Sequence, residues 1–495
     1  MFKRSRALAT VALIAIGVGI SAPAWAQETL PEAIALAYRT NPTLLAQRAN
    51  QRALDESIVS ARAGLRPTLD VGLTGSYTRV QDDDPLLEGD TQSVGASISL
   101  SQNLYTGGRV AHGITAAEAD ILSGRESLRE VEQSVLVSVI QAYADVIRDT
   151  EILRIREENL TVLGRQLEES NARFEVGEIT RTDVAQSEAR LAQSEADLAN
   201  ARAQLSVSRA AYAAVVGQAP GDLAPLPALP GLPTDFDTAL DIALAENPGV
   251  LAALYGQRSA EAAVAQARAE YMPSVSVRAS YGGTAPSLGQ LDVIADRNSF
   301  STSASVSVPL FTGGLNQSRV AAALERANAA QINVEGERRQ VLQSVSTAYA
   351  QAISARSSLV AGEEAVRAAS VAAEGVRQEA QVGLRTNLDV LNQELELRNA
   401  QVSLASARRN EYVAQASLLA AMGRLEGLAL DPTLTPYDPA ANYERVRNRG
   451  ALPWDGVIEI IDRIAAPGIA PANDAEDAPI DAQLKSEVIQ TAPRN

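Results

Sequence analysis

Side chains capable of covalent, redox or metal chemistry are scarce in this sequence. Its 495 residues include no cysteine and a single histidine, His112. Without cysteine no disulfide, thiolate ligand or catalytic thiol can form, and one histidine without a carboxylate cluster does not make a metal site. We also find no nucleophile–base pairing and no phosphate-binding loop. The sequence therefore predicts a protein that is not an enzyme, with no catalytic residue, no metal and no cofactor.

The charged residues with the most specific setting lie in a motif that occurs twice. It reads VGEITRTDV from Val176 and VGLRTNLDV from Val382. Asp183 in the first copy stands where a helix is predicted to begin, and its carboxylate can accept backbone N–H bonds there as an N-cap. The simpler interpretation of Asp389, in the second copy, is an ordinary charged residue on a solvated face. Both interpretations, and a more specific role for each aspartate, remain open at this point.

The two motifs belong to an internal duplication of the chain. Thr106-Gly107-Gly108 matches Thr312-Gly313-Gly314 at an offset of 206 residues (312 − 106). Asn41-Pro42 matches Asn247-Pro248 at the same offset, and further pairs share it, so the match is systematic. Each half has the same predicted order of elements, which is helix, two strands and then long helices.

An export signal precedes the duplication. Lys3, Arg4 and Arg6 are followed by an apolar stretch, and Ala24-Trp25-Ala26 makes a small-x-small cleavage site. Cleavage removes three positive charges, so the formal charge of −17 becomes −20 (−17 − 3), which disfavours nucleic acid as a partner. The predicted parts are a signal peptide at 1–26, a first repeat at 27–217, a proline-rich linker at 218–233, a second repeat at 234–423, an equatorial C-terminal segment at 424–464 and a disordered tail at 465–495.

Each repeat contains two strands with one apolar and one polar face. The four predicted strands are 67–80, 93–105, 273–284 and 300–311. Their lengths are those of tilted membrane strands. Sheet edges cannot stay open in lipid, and four strands cannot close around a lumen. Three chains would supply twelve strands, which leave a pore.

Paired glycines separate the second strand of each repeat from a long helix. They are Gly107 and Gly108 in the first repeat and Gly313 and Gly314 in the second. Because glycine adopts unusual dihedral angles without steric cost, we interpret them as a backbone transition between barrel and tunnel rather than a ligand site. The helix that follows the first pair, at about 109–174, would be on the order of 100 Å long.

The chain resembles the TolC family of outer-membrane efflux proteins over nearly all of its mature length. The Asn-Pro pairs, the YTGG and FTGG junctions and the sequence VGLRTNLDVLNQELEL carry this resemblance. It implies a mixed α and membrane-β fold: a homotrimer whose twelve-stranded outer-membrane β-barrel, four strands per chain, continues into a long α-helical periplasmic tunnel. The implied partners are a periplasmic adaptor (membrane fusion) protein, an inner-membrane ABC or other translocase, and outer-membrane lipid.

The resemblance also implies that the repeated motif forms a periplasmic gate at the tip of the tunnel. The gate positions in this sequence are Thr182, Asp183, Arg385, Asp389 and Asn392. Arg385 would bond a residue of the first turn, and Asp389 would face the tunnel. Asn392 stands where some members have a second aspartate, and Ala380 stands where some have a tyrosine. We therefore expect no two-tier cation site and fewer bonds in the closed state.

Within this family the sequence favours type I protein secretion. Many multidrug members carry a lipidated N-terminal cysteine, and this sequence has none. Small-molecule or multidrug efflux remains the alternative. A trimeric surface adhesin also builds twelve strands from three chains, but its four strands are contiguous at the C-terminus, whereas these pairs lie about 200 residues apart.

Overall fold

The computed structural model describes residues 27–80, 89–290 and 292–471. The predicted signal peptide, residues 81–88 and 291, and the tail from 472 onward lie outside the described residues. The first half contains α1 (Leu30–Thr40), α2 (Pro42–Asp55), α3 (Ser57–Ala63), β1 (Thr68–Val80), β2 (Gly89–Tyr105), α4 (Arg109–Glu175) and α5 (Arg181–Val216). The second half contains α6 (Phe236–Glu246), α7 (Pro248–Arg268), β3 (Ser274–Ala285), α8 (Asp292–Asp296), β4 (Asn298–Ser307), α9 (Leu315–Gln381) and α10 (Asn387–Ala421). The C-terminal segment contains α11 (Gly427–Leu430), α12 (Ala440–Val446) and α13 (Asp455–Asp462).

Two very long helices form the body of the chain. α4 and α9 have 67 residues each, which corresponds to about 100 Å. Each packs along the shorter helix that returns from its far end, α5 or α10, and α7 packs against both long helices. The described residues contain no helix that is both long enough and apolar enough to cross a membrane.

The Asn-Pro pairs end one helix and start the next in both repeats. Each asparagine side-chain oxygen accepts backbone N–H bonds from the helix that follows, in which the proline occupies the first position. The Asn41 amide also donates a bond of 3.0 Å to the Val215 carbonyl, and the Asn247 amide donates one of 3.0 Å to the Ala421 carbonyl. The sequence repeat is therefore a structural repeat at the level of single hydrogen bonds.

The apolar core of each repeat lies where its first short helix packs on the two long ones. In the first repeat, Ile34 of α1 meets Tyr143 of α4 and Tyr212 of α5, all three fully buried. In the second repeat, α6 packs on α9 and α10 in the same way. Beyond these clusters the helix interfaces also bury small residues such as Ser187, Ala201 and Ala373, which allow helices to approach closely.

The four strands form one antiparallel sheet in the order β1-β2-β3-β4. Directly paired residues share a face, and the pairing Val71–Ile98–Tyr281–Phe300 crosses the whole sheet. These four apolar side chains are all exposed. One face of the sheet is therefore apolar and uncovered within the chain.

The helical stretch after Asn41 is interrupted at Glu56, whose N–H bonds the Ala53 carbonyl three residues back and so tightens the turn. The strand boundaries differ most from the predicted ones at β2, which begins at Gly89 rather than at 93, and at β4. The fourth strand was expected at 300–311 but ends at Ser307. Pro309 cannot donate a ladder hydrogen bond, and β3 provides no partner beyond the Ser274–Ser307 pair.

Candidate functional site

The sheet ends in unpaired edges on both sides. Among the described residues β1 pairs only with β2, and β4 pairs only with β3. Leu73 on β1 is 79% exposed and Val306 on β4 is 68% exposed. An apolar face and open strand edges together require neighbouring strands and a non-aqueous solvent.

The first junction between sheet and long helix is a tightly packed turn. Gly107 and Gly108 have φ angles of 68° and 87°. A Cβ at Gly107 would lie 2.2 Å from the Cβ of Met272, and one at Gly108 would lie 2.3 Å from the Cβ of Ala466. Both glycines are therefore required by backbone conformation and by space.

The second junction has the same backbone but different surroundings. Gly313 and Gly314 have φ angles of 61° and 86°, and a Cβ at either position would meet no atom of the described residues within 4 Å. The first junction differs because Met272 packs against Gly107 and Ala466 of the C-terminal segment packs against Gly108. The role of the four glycines as a barrel–tunnel transition stays a prediction.

The C-terminal segment runs lengthwise rather than only around the middle of the helices. It begins beside α1, where the Tyr437 N–H donates to Tyr38 Oη at 3.1 Å. Further on, the Asn442 amide donates to Asp55 Oδ2 at 2.8 Å. It reaches the first junction at Asp462, so the description of 424–464 as equatorial fits only its first part. We call residues 431–467 the C-terminal strap.

His112 lies next to this junction. Burial lowers the pKa of its imidazole, and the nearby Asp462 carboxylate partly opposes that shift. Among residues 27–80, 89–290 and 292–471, no group of three or more metal-ligating side chains is close enough to hold an ion.

At the opposite end of the helices, the repeated motif forms two matching turns. Thr180 and Thr386 have extended backbones and cap α5 and α10. Each accepts an N–H bond from the aspartate three residues on, Asp183 or Asp389, whose carboxylate bonds the threonine N–H in return. The N-cap prediction for Asp183 was therefore wrong, because the helix begins at Arg181 and places Asp183 at its third position.

The charges of the second turn are stabilised locally. Asp389 accepts bonds from the Thr386 N–H and hydroxyl, and these lower the pKa of its carboxyl. Arg385 Nε lies 2.8 Å from Glu379 Oε2, and this hydrogen bond raises the pKa of the guanidinium. Arg385 thus pairs with its own repeat in the single chain. A bond from Arg385 to the first turn of another chain stays a prediction.

Other residues connect the two repeats at the tip. Asn387, the first residue of α10, accepts a bond of 2.9 Å from the Gln166 amide and donates to Ser187 Oγ at 3.0 Å. Arg190 of α5 donates to Asn392 Oδ1 of α10 at 2.9 Å. Asn392 therefore bonds the first repeat, while Thr182 is exposed at the turn and available to a partner.

Sequence reasoning missed several of these residues. The T-x-x-D spacing in both motifs could have identified Thr180 and Thr386 as the caps of capping boxes. No local pattern pointed to Asn387, Arg190 or Asp462, because their partners lie far away in the sequence.

A two-faced sheet at one end and a helical tip at the other, joined by helices of about 100 Å, define an outer-membrane channel subunit. The fold is similar to that of the CmeC outer membrane channel of Campylobacter jejuni, with a TM-score of 0.72 and 15% sequence identity. That match covers 90% of this chain and 98% of the other.

The chain belongs to the outer membrane efflux protein family, which matches residues 33–218 and 239–424. This confirms the family that the sequence resemblance indicated, and with it an outer-membrane location. The chain is 34% identical to the outer membrane efflux protein BepC of Brucella suis over 462 residues, 92% of this chain and 98% of BepC. It is 28% identical to the alkaline protease secretion protein AprF of Pseudomonas aeruginosa over 353 residues, 69% of this chain and 72% of AprF.

Proposed function

We propose that three copies of this chain close into one export channel across the outer membrane and periplasm. The observation that carries the proposal is the open four-stranded sheet that leads into helices long enough to leave the membrane. Three sheets of four strands give a twelve-stranded barrel with a lumen. The row from Val71 to Phe300 then faces lipid, and the serine and threonine face lines water.

The helical tip is proposed as the periplasmic gate. Thr182, Asp183, Arg385, Asp389 and Asn392 all lie on or next to its two turns. The bonds that join the repeats there are few and polar, and a partner that competes for them could open the tip. Polar bonds of modest strength suit a reversible gate better than an apolar plug would, because buried apolar contacts cost more to separate.

We infer that the channel works with a periplasmic adaptor and an inner-membrane translocase, and that protein is its main cargo. The relative AprF is named for secretion of a protease, and the sequence has no cysteine for N-terminal lipid attachment. Small-molecule efflux is the second candidate, favoured by the 23% identity to a Pseudomonas putida protein named toluene efflux pump outer membrane protein TtgC.

The number of chains is tested by native mass measurement of the detergent-extracted protein. We expect three chains per particle. A stable monomer that is soluble without detergent would contradict the barrel.

The partner is tested by photo-crosslinking in cells from a reactive residue at Thr182. The matched control is the same residue at Val207, an exposed position far along α5. An ABC-type translocase or its adaptor, captured from position 182 but not from 207, supports protein secretion. A proton-driven pump captured there supports small-molecule efflux instead. Equal capture from both positions would contradict docking at the tip.

A further inference from the structure

The last helix of the described chain has its polar and apolar faces reversed. On α13 the charged residues Asp455, Glu459 and Asp462 point toward the protein, together with the buried Ile458. The residues that point away are Val457, Ile460 and Ile461, with Trp454 before the helix and Ile464 after it. Ile460 is 67% exposed and Ile464 is 61% exposed. A helix in water shows the opposite arrangement.

Each charged side chain on the inward face of α13 has a partner elsewhere in the protein. Asp455 Oδ2 lies 2.9 Å from Arg66 Nε, and Glu459 Oε1 lies 3.6 Å from Arg62 Nε. Asp462 is completely buried and accepts hydrogen bonds at the first junction. These contacts fix the rotation of the helix, so its apolar face cannot turn inward.

The position of α13 is the base of the sheet, on the apolar side. Tyr105, the last residue of β2, donates from Oη to the Ile464 carbonyl at 3.0 Å. The register of β2 against β3 shifts by one residue between Asn103 and Tyr105, so Tyr105 pairs with Val275, which pairs with Val306. Because paired residues share a face, the Tyr105 side chain lies on the face that carries the exposed apolar row. The outward surface of α13 therefore continues that row at the end nearest the long helices.

We propose that α13 is an interfacial anchor that lies in the periplasmic leaflet of the outer membrane. Its partner is the lipid surface that surrounds the proposed barrel, and the inference rests on that proposed function. Trp454 stands at the start of the helix, and tryptophan prefers the boundary between headgroups and acyl chains. The anchor fixes the end of the C-terminal strap and holds the first junction at a defined depth.

A second copy of this chain is the alternative occupant of the apolar face. Leu310 and Phe311 follow β4, and their exposed fractions are 93% and 90%. They lie at the open edge of the sheet, where a neighbouring chain is expected. α13 instead contacts β2, which has a strand on each side, and this position favours lipid.

Trp454 provides a direct test, because Trp25 is the only other tryptophan and is removed with the predicted signal peptide. The full mature chain is reconstituted in phosphatidylcholine vesicles with or without brominated acyl chains. An interfacial helix lies about 5–10 Å into the boundary. We therefore expect Trp454 emission to be lost in brominated lipid, most strongly with bromine near the headgroup end. Equal emission in both lipids would overturn the proposal.

Two variants separate lipid contact from a purely structural effect. Ile460→Lys combined with Ile464→Lys should expel the helix, restore Trp454 emission in brominated lipid and make it accessible to aqueous iodide. Ile460→Leu combined with Ile464→Leu should remain quenched by the lipid. Emission that is insensitive to bromine but shielded from iodide in the parent chain would assign the face to a second copy and overturn the lipid anchor.

Flotation of the same vesicles distinguishes this proposal from the proposed channel. The lysine variant should still float after an alkaline wash, because the sheet alone holds it in the membrane. If the parent chain does not float, both the proposed barrel and the proposed anchor are wrong. If the chain floats while its Trp454 emission is unaffected by bromine, only the anchor is wrong.

Discussion

Thr106 and Asp462 are 356 residues apart in the sequence and are joined by two hydrogen bonds. The Thr106 hydroxyl donates to Asp462 Oδ1 at 2.8 Å, and the Thr106 N–H donates to the same oxygen. Asp462 Oδ2 also accepts from the Ala111 N–H at 3.2 Å. One carboxylate from the C-terminal strap thus satisfies the first turn of the longest helix in the repeat, where a negative charge is also favoured by the helix dipole.

The first prediction concerns this contact. Asp462→Ala leaves the Thr106 and Ala111 N–H groups buried without their acceptor, which costs about 1–3 kcal/mol per group. We expect a lower thermal midpoint and faster proteolytic removal of the strap. The control is Asp438→Ala, which removes an exposed cap to Ala440 in the same segment. Equal effects of the two substitutions would contradict a special role for Asp462.

The sheet, the duplication and the long helices could be predicted from sequence because their signals are local and repeated. Alternation of apolar and polar residues, paired glycines and the Asn-Pro pairs each encode structure within a few positions. The strap could not be predicted in the same way. Its contacts depend on Asp462 meeting Thr106, and nothing near either residue in the sequence specifies the other.

The second prediction is a loss of stability at alkaline pH that depends on Tyr143. Its Oη donates to the Ala224 carbonyl at 2.7 Å and lies 2.9 Å from the Glu28 carbonyl. Burial, and next the negative charge of Glu28, raise the pKa of the phenol from 10.0 to about 12. A raised pKa favours the neutral phenol in the folded state. The contribution of the neutral phenol to the free energy of unfolding is therefore complete below pH 10 and is lost as the pH rises from 10 to about 12.

The measurement is the thermal midpoint of the detergent-extracted trimer as a function of pH. Tyr143→Phe should lower the midpoint at neutral pH, because the Ala224 carbonyl loses its phenol donor, and should show a shallower alkaline decline. An identical alkaline slope in the parent and in Tyr143→Phe would show that other groups cause the decline.

The third prediction fixes the orientation of the chain. The predicted surface loops at 81–92 and 285–299 contain the connections from Val80 to Gly89 and from Ala285 to Asn298, at the end of the sheet farthest from the long helices, so the proposed channel exposes both on the cell surface. Epitope tags in either loop should be labelled on intact cells. A tag after Gly177 at the helical tip should be labelled only after the outer membrane is permeabilised. The reverse pattern would contradict the proposed orientation.

At the tip, the family resemblance identified only some of the residues that make contacts. It directed attention to Arg385 and Asp389, and the structure shows both making local bonds within the second repeat. The contacts that join the repeats use Asn392, which the resemblance also named, and Asn387, a neutral amide that it did not name. Their roles depend on helix packing, which brings α10 beside α4 and α5 and cannot be read from either turn alone.

The last prediction follows from those contacts. Asn387 is half-buried between Gln166 and Ser187, and neutral hydrogen bonds of this kind contribute about 0.5–1.5 kcal/mol each. Asn387→Ala should loosen the joint between the repeats and raise single-channel conductance in planar bilayers. Arg190→Ala should act in the same direction, because it removes the donor to Asn392.

Arg385→Ser separates the single-chain contact from a contact between chains. Within the chain Arg385 bonds Glu379, and both side chains are about half exposed, at 50% and 46%. If that ion pair is its only role, Arg385→Ser and Glu379→Gln should leave conductance close to that of the parent. If Arg385 also bonds the first turn of a neighbour, Arg385→Ser should raise conductance while Glu379→Gln does not. An unchanged conductance in Asn387→Ala, Arg190→Ala and Arg385→Ser, with the trimer intact, would mean that the constriction lies elsewhere in the tunnel.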